Sequence, residues 1–132
     1  ITQLKKLAGF IKLRQNIASR YNEVFLNAAK VKPLYQFTTK SVYHLYVLQA
    51  DFSKLGITRT ELFIRMRERG IGLQLHYIPI PYQPYYRSLE LERYPLPMMD
   101  KYFQQSFSIP IFPKMKKFEV EKVITSLFCE LI

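Results

Sequence analysis

Between Gly70 and Tyr86 the chain reads GIGLQLHYIPIPYQPYY, and here the groups able to do chemistry are most concentrated. Gln74, His76, Tyr77, Tyr82, Gln83, Tyr85 and Tyr86 all fall within this stretch. Amides, an imidazole and phenols can hydrogen-bond a polyhydroxylated or amide-bearing ligand, and tyrosine rings can pack on its apolar faces. Pro79, Pro81 and Pro84 would hold those groups with little ordering cost on binding. The same residue types also suit a protein interface. Tyrosines in a basic chain can stack on bases too, although no nucleic-acid motif is present. Composition and spacing leave all three readings open: small-molecule surface, protein interface and nucleic-acid contact.

Other chemistry is thinly represented. There is no G-x-G-x-x-G, P-loop, H-E-x-x-H or G-x-S-x-G pattern. His44 and His76 are far apart, and with Cys129 as the sole cysteine no zinc site is expected. His44 reads as a hydrogen-bonded structural residue, and Cys129 as a small core residue of the last helix. A lone cysteine excludes an internal disulfide framework and points to a reducing, cytoplasmic setting.

Several elements must position the 70–86 stretch. Leu4, Leu7, Ile11, Ala18, Tyr21 and Phe25 recur at helical spacing, which predicts an amphipathic helix from about Thr2 to about Asn27. At about 1.5 Å per residue it would be roughly 35–40 Å long, suited to bridging domains or running along a partner. Its polar face carries Lys5, Lys6, Lys12, Arg14 and Arg20, a solvated face or a contact with something acidic. Pro33 predicts a loop in AAKVKPLYQ.

SVYHLYVLQ predicts a strand, Ser41–Gln49, from its β-branched and aromatic content. Thr58 and Glu61 stand as a capping box that opens a helix, with Leu62, Phe63 and Met66 inward and Gly70 as its stop. Leu73, Leu75 and Tyr77 alternate with polar residues and predict a second strand, Gly72–Tyr77, which the following prolines end. A short polar helix or turn is expected over Arg87–Arg93. Pro97 then begins a helix with Met98, Tyr102 and Phe103 inward. A short strand near Phe107–Ile111 follows, and Val120, Val123, Ile124, Leu127, Phe128 and Leu131 give the last helix its apolar face.

With 132 residues the chain is one domain by length, and its net charge of +10 favours anionic partners. No apolar run approaches a membrane span, and no secretory leader pattern opens the sequence. The chain starts without Met and enters helical periodicity almost at once, so it reads as a piece of something longer.

The order of motifs resembles one family. QLKKL-x-x-F-x-x-x-R-x-x-x-A-x-x-Y runs from Gln3 to Tyr21, S-x-Y-H-L-Y from Ser41 to Tyr46, and R-G-I from Arg69 to Ile71. H-Y-x-P-I follows from His76 to Ile80, Q-P-Y-Y from Gln83 to Tyr86, S-I-P-I-F-P from Ser108 to Pro113, and V-I at Val123 and Ile124. Together they resemble the C-terminal part of the DegT/DnrJ/EryC1/StrS sugar-nucleotide aminotransferases, in the branch making surface polysaccharide or pseudaminic-acid precursors. The chain departs from that pattern at Pro81, where many members carry histidine.

The resemblance implies an α+β fold, the C-terminal small domain of a fold-type I pyridoxal-phosphate aminotransferase. A long first helix would lead into a small, mostly antiparallel sheet with helices mainly on one face. Residues 1–132 would form that small domain, 1–28 being the linking helix, with the large cofactor-binding domain outside the chain. The parent enzyme would use pyridoxal 5'-phosphate to move an amino group from glutamate to a nucleotide-linked keto sugar, as a cytoplasmic homodimer without metal or membrane attachment. This piece alone would bind no cofactor, hold no catalytic residue and be inactive. Its substrate-binding residues would be His76, Tyr77, Tyr82, Gln83 and Tyr86. The alternative is a stand-alone basic interaction domain that binds an acidic protein or nucleic acid, nucleic acid being the less favoured partner.

Overall fold

The structure, a computed structural model, describes residues 1–75, 77–90 and 95–131. Helix α1 spans Thr2–Phe25, and its burial is one-sided along its length as well as around it. Ile17, Ala18, Tyr21 and Phe25 are in the core, whereas Leu4 and Leu7 of the expected stripe are 71% and 48% exposed. The helix is therefore anchored by its second half and projects its first half beyond the core.

Three strands form one sheet in the order β1-β2-β3: β1 Val31–Pro33, β2 Tyr46–Ala50 and β3 Ser106–Ile109. Both pairings are antiparallel, with Pro33 opposite Leu48 and Leu48 opposite Phe107. The segment read as a loop around Pro33 thus contains an edge strand. Proline is tolerated there because one side of an edge strand needs no ladder partner. Leu34 continues the contact, its N–H donating to Val47 O at 3.0 Å.

The strand expected at Ser41–Gln49 begins only at Tyr46. Tyr43 adopts a left-handed backbone, φ 47°, which ends extended geometry in the preceding residues. The bend is held locally. The Thr38 N–H donates to the Tyr43 hydroxyl at 2.6 Å, and the Phe37 and Tyr43 rings stack with centroids 5.5 Å apart. Among the described residues, the strand expected at Gly72–Tyr77 shows a single antiparallel bridge, Gln74 with Ser108, and His76 lies outside those residues. The third strand stops at Ile109 rather than Ile111, because Pro110 has no N–H to donate.

Helix α2, Phe52–Leu55, is a single turn that ends at Gly56 in the left-handed region, φ 71°. Helix α3, Arg59–Glu68, opens with the expected capping box: Thr58 Oγ1 accepts from the Glu61 N–H while the Glu61 carboxylate accepts from the Thr58 N–H. Gly70, φ 74°, ends the turn beyond it. A 3₁₀ turn at Ile80–Tyr82 leads into α4, Pro84–Ser88, which lies earlier than the helix or turn expected over Arg87–Arg93. Leu91 to Arg93 lie outside the described residues. Helix α5, Pro97–Gln105, starts at the expected proline. Met98 is 78% exposed rather than inward, while Tyr102 and Phe103 are half-buried. Helix α6, Lys117–Leu131, buries Val120, Val123, Ile124, Leu127 and Leu131, with Phe128 half-buried. Cys129 is exposed, not a core residue: it falls on the outer face of α6.

The core lies on one side of the sheet. Tyr46, Leu48 and Ala50 point to it along β2 and meet Phe107 and Ile109 of β3. Tyr21 of α1 brings its ring to 5.1 Å from that of Tyr46, and Phe25 stacks on Phe128 of α6 at 5.8 Å. Each fully buried Phe, Leu or Met side chain here contributes about 1.5–3 kcal/mol by leaving water. Helices α1, α3 and α6 share this face. On the opposite face Val47 meets α5.

Candidate functional site

The 70–86 stretch leaves α3 at Gly70 and, among the described residues, pairs with the sheet once. The pairing is mutual: Gln74 N–H donates to Ser108 O at 3.1 Å, and Ser108 N–H donates to Gln74 O at 2.9 Å. Beyond it, Tyr77 and the run Ile78–Pro81 form one wall of an apolar cleft of about 610 Å³, with Val47, Met99 and Tyr102 on the other side. Pro79 and Pro81 fix the wall because proline holds its own φ.

The expected site residues take different places. Tyr77 lines the cleft and is 77% exposed. Tyr82 bolts the wall to α5, its hydroxyl donating to the Asp100 carboxylate. Gln83 closes the turn beneath it, Nε2 donating to Ile78 O at 3.0 Å. Tyr86 meets Tyr85 edge to face, with centroids 5.3 Å apart. His76 lies outside the described residues. The structure therefore brings Tyr77, Tyr82 and Gln83 together as surface and bracing of one wall, with Tyr86 on the short helix that follows.

Among the described residues no lysine or acid lines this cleft; the lining groups are aliphatic, aromatic, proline and the Met99 thioether. Burial raises the Tyr102 hydroxyl above its ordinary range, so it stays protonated. Such a cleft can pack against a planar or ring-shaped group and offer phenol hydrogen bonds at its rim. It does not have the donors to hold a phosphorylated pyridine by itself, so the residues present do not fit a complete pyridoxal-phosphate site. Lys5, Lys6 and Lys12 all lie on exposed positions of α1.

Arg14, expected on the basic polar face of α1, is a structural centre. Arg14 Nη1 lies 2.9 Å from each of three backbone carbonyls, those of Tyr43, His44 and Ile111. It ties α1 to the turn before β2 and to the segment after β3. The signal for it was present: Arg14, Ala18, Tyr21 and Phe25 follow at spacings of four, three and four, so a cation occupies the core-facing stripe. Tyr21 extends the same seam, its hydroxyl donating to Pro110 O at 2.9 Å. Burial pushes the Tyr21 hydroxyl far above its ordinary range, so it remains a donor.

Among the described residues no cluster of three His, Cys, Asp or Glu could hold a metal ion, and no helix is long and apolar enough to cross a membrane.

Comparison with known proteins agrees with the motif order. The model of the DegT/DnrJ/EryC1/StrS aminotransferase family matches residues 1–128. Spore coat polysaccharide biosynthesis protein SpsC of Bacillus subtilis is 33% identical over 128 residues, covering 95% of this chain and 33% of SpsC. Protein MJ1066 of Methanocaldococcus jannaschii is 32% identical over 129 residues, covering 96% of this chain and 33% of that protein. The chain thus spans about a third of the length of the curated relatives it matches. Among solved structures, Helicobacter pylori PseC, an aminotransferase involved in the biosynthesis of pseudoaminic acid, superposes with a TM-score of 0.89 at 24% identity, over 98% of this chain and 35% of PseC. The aminotransferase TlmJ of Streptoalloteichus hindustanus gives 0.84 at 22% identity, over 98% of this chain and 34% of TlmJ. At those identities the two structures establish the shared fold. Nothing in these matches supports a stand-alone basic interaction domain. From its first helix to within four residues of its end, this chain belongs to the DegT/DnrJ/EryC1/StrS aminotransferase family.

Proposed function

We propose that residues 1–132 are the small domain of a pyridoxal-phosphate-dependent aminotransferase that moves an amino group from glutamate to a nucleotide-linked keto sugar for bacterial surface polysaccharide. Residues 1–28 act as the helix linking it to a larger cofactor-binding domain, and the full-length protein works as a homodimer. The observation that carries this reading is the family match over residues 1–128, in a chain that spans 33% of SpsC. When bound, the cofactor supplies the electron sink for amino transfer. The chemical groups that hold it belong to the larger domain.

The contribution of this chain is a substrate wall. Tyr77 and the proline-fixed run after it present a stiff apolar and phenolic surface to the sugar, with His76 beside Tyr77 in sequence. Tyr82 and Gln83 keep that wall in place through Asp100 and the Ile78 carbonyl. Tyr86 extends it.

Kinetics of the full-length enzyme test the wall. His76→Ala and Tyr77→Ala should each lower kcat/KM for the nucleotide sugar about tenfold or more, a loss of about 1.4 kcal/mol of transition-state stabilisation, with cofactor occupancy unchanged. Unchanged sugar kcat/KM in both variants would contradict the assignment.

A further inference from the structure

Among the described residues Arg14 is held through one nitrogen. Its Nη1 takes the three carbonyls of Tyr43, His44 and Ile111, and among the described residues Nε and Nη2 have no protein acceptor. Arg20, Arg65 and Arg69 each meet a glutamate carboxylate, whereas Arg14 meets none among the described residues. A guanidinium gains most from an acceptor that can meet two of its N–H groups at once.

The space for such an acceptor exists. Arg14 and His44 both line two adjoining cavities, of about 450 and 350 Å³. The larger is walled by Gly72, Gln74, Ser108 and Pro110, the smaller by Leu7, Phe10 and Pro113. Hydroxyl, amide and imidazole-bearing residues thus surround a cation whose orientation is fixed by backbone. Three carbonyls immobilise the guanidinium before any ligand arrives, so little ordering cost remains for binding.

We propose that this cleft is an oxyanion site: the free Nε/Nη2 edge of Arg14 receives a carboxylate or phosphate group of a small ligand. His44, Gln74 and Ser108 supply the surrounding polar lining. Guanidinium forks fit both groups, each presenting two acceptor oxygens at the right spacing. The binding is non-covalent and is separate from the amino-transfer proposal, because it needs only residues of this chain.

Gly72 allows the cavity to be filled without disturbing the clamp. A Cβ added there meets nothing within 4 Å, and its backbone is not in the left-handed region. The 132-residue chain, labelled with ¹⁵N, is titrated at constant ionic strength with sodium glutamate, with sodium phosphate and with sodium chloride. Glutamate or phosphate should shift the Arg14 Nε–H and the Gly72 and Gln74 amides saturably, and chloride should not. The more effective of the two anions identifies the ligand's group as carboxylate or phosphate. Gly72→Val should keep the fold and weaken binding at least tenfold, and His44→Ala should weaken it about threefold or more. Arg14 variants are set aside for this purpose, since loss of the clamp alone would disturb the fold. Failure of both anions to give saturable shifts, equal shifts with chloride, or undiminished binding in Gly72→Val would overturn the proposal.

Discussion

Gln74 and Ser108 exchange both of their backbone hydrogen bonds, at 3.1 and 2.9 Å, Ser108 from within β3 and Gln74 from outside any strand among the described residues. This one bridge ties the tyrosine and proline segment to the sheet. On its far side the chain is free to form the wall that carries Tyr77. On its near side the chain is fixed by Ile71, buried under α3 with its N–H donating to Met66 O at 2.9 Å.

The bridge should be worth more than the side chain that sits on it. Gln74→Pro removes a donor and should cost about 1–3 kcal/mol, since it leaves the carbonyl of buried Ser108 without its partner. Gln74→Ala keeps both backbone bonds and should change stability by no more than about 0.5 kcal/mol. Denaturant unfolding of the two variants compares them, and equal losses would show that the backbone pair contributes nothing special.

Arg14 joins three segments through one nitrogen, and its removal should be felt in all of them. Arg14→Met keeps the aliphatic stem but leaves three carbonyls without their donor, for an expected loss of about 2–3 kcal/mol. Arg14→Lys should recover only part of that, because an ammonium lacks the planar fork. Thermal unfolding that ranks the wild type above Lys and Lys above Met fits this account. A methionine variant as stable as the wild type does not.

Much of the scaffold was legible because its rules are local. The Thr58–Glu61 box, Pro97 at a helix start and the apolar stripe of α6 depend on neighbours within one or two turns. What was not legible depends on distant partners. Val31–Pro33 reads as a loop because proline reports only its missing donor, while the edge position that makes it harmless is set by β2. Ser41–Leu45 reads as strand by residue type, but the turn at Tyr43 and the carbonyls claimed by Arg14, 29 and 30 residues away, take it out of the sheet. For the candidate site, the tyrosines and prolines pointed in sequence to a stiff aromatic segment without saying what it faces. Which of them brace and which face the cleft followed only from Asp100 and the Ile78 carbonyl.

Acid should loosen the α3–α6 contact. Glu130 has a side chain only 8% exposed and is gripped by Arg69 at 2.6 Å and Arg65 at 3.3 Å. The hydrogen bond from Arg69, followed by that from Arg65, holds its carboxyl below the ordinary 4.5. Because the folded value is depressed, the unfolded chain binds more protons in this range and stability rises with pH. The contribution is complete above the ordinary carboxylate value and disappears as pH falls through the folded one. Tm should therefore fall between about pH 5 and pH 3, and Glu130→Gln should flatten that fall while costing about 1–2 kcal/mol at pH 7. An unchanged Tm–pH profile in the variant would sink the assignment.

We propose that this chain supplies a wall, and not the chemistry, of a sugar aminotransferase. The most direct measurement expresses the longest open reading frame containing these residues beside the 132-residue chain alone, each with pyridoxal 5'-phosphate, glutamate and nucleotide-linked keto sugars. The account predicts glutamate-dependent formation of an amino sugar nucleotide by the longer protein, with the 132 residues alone giving neither cofactor absorbance nor product. Cofactor binding and turnover by the 132 residues, or no amino transfer by a folded, cofactor-loaded longer protein to any such sugar, would contradict it.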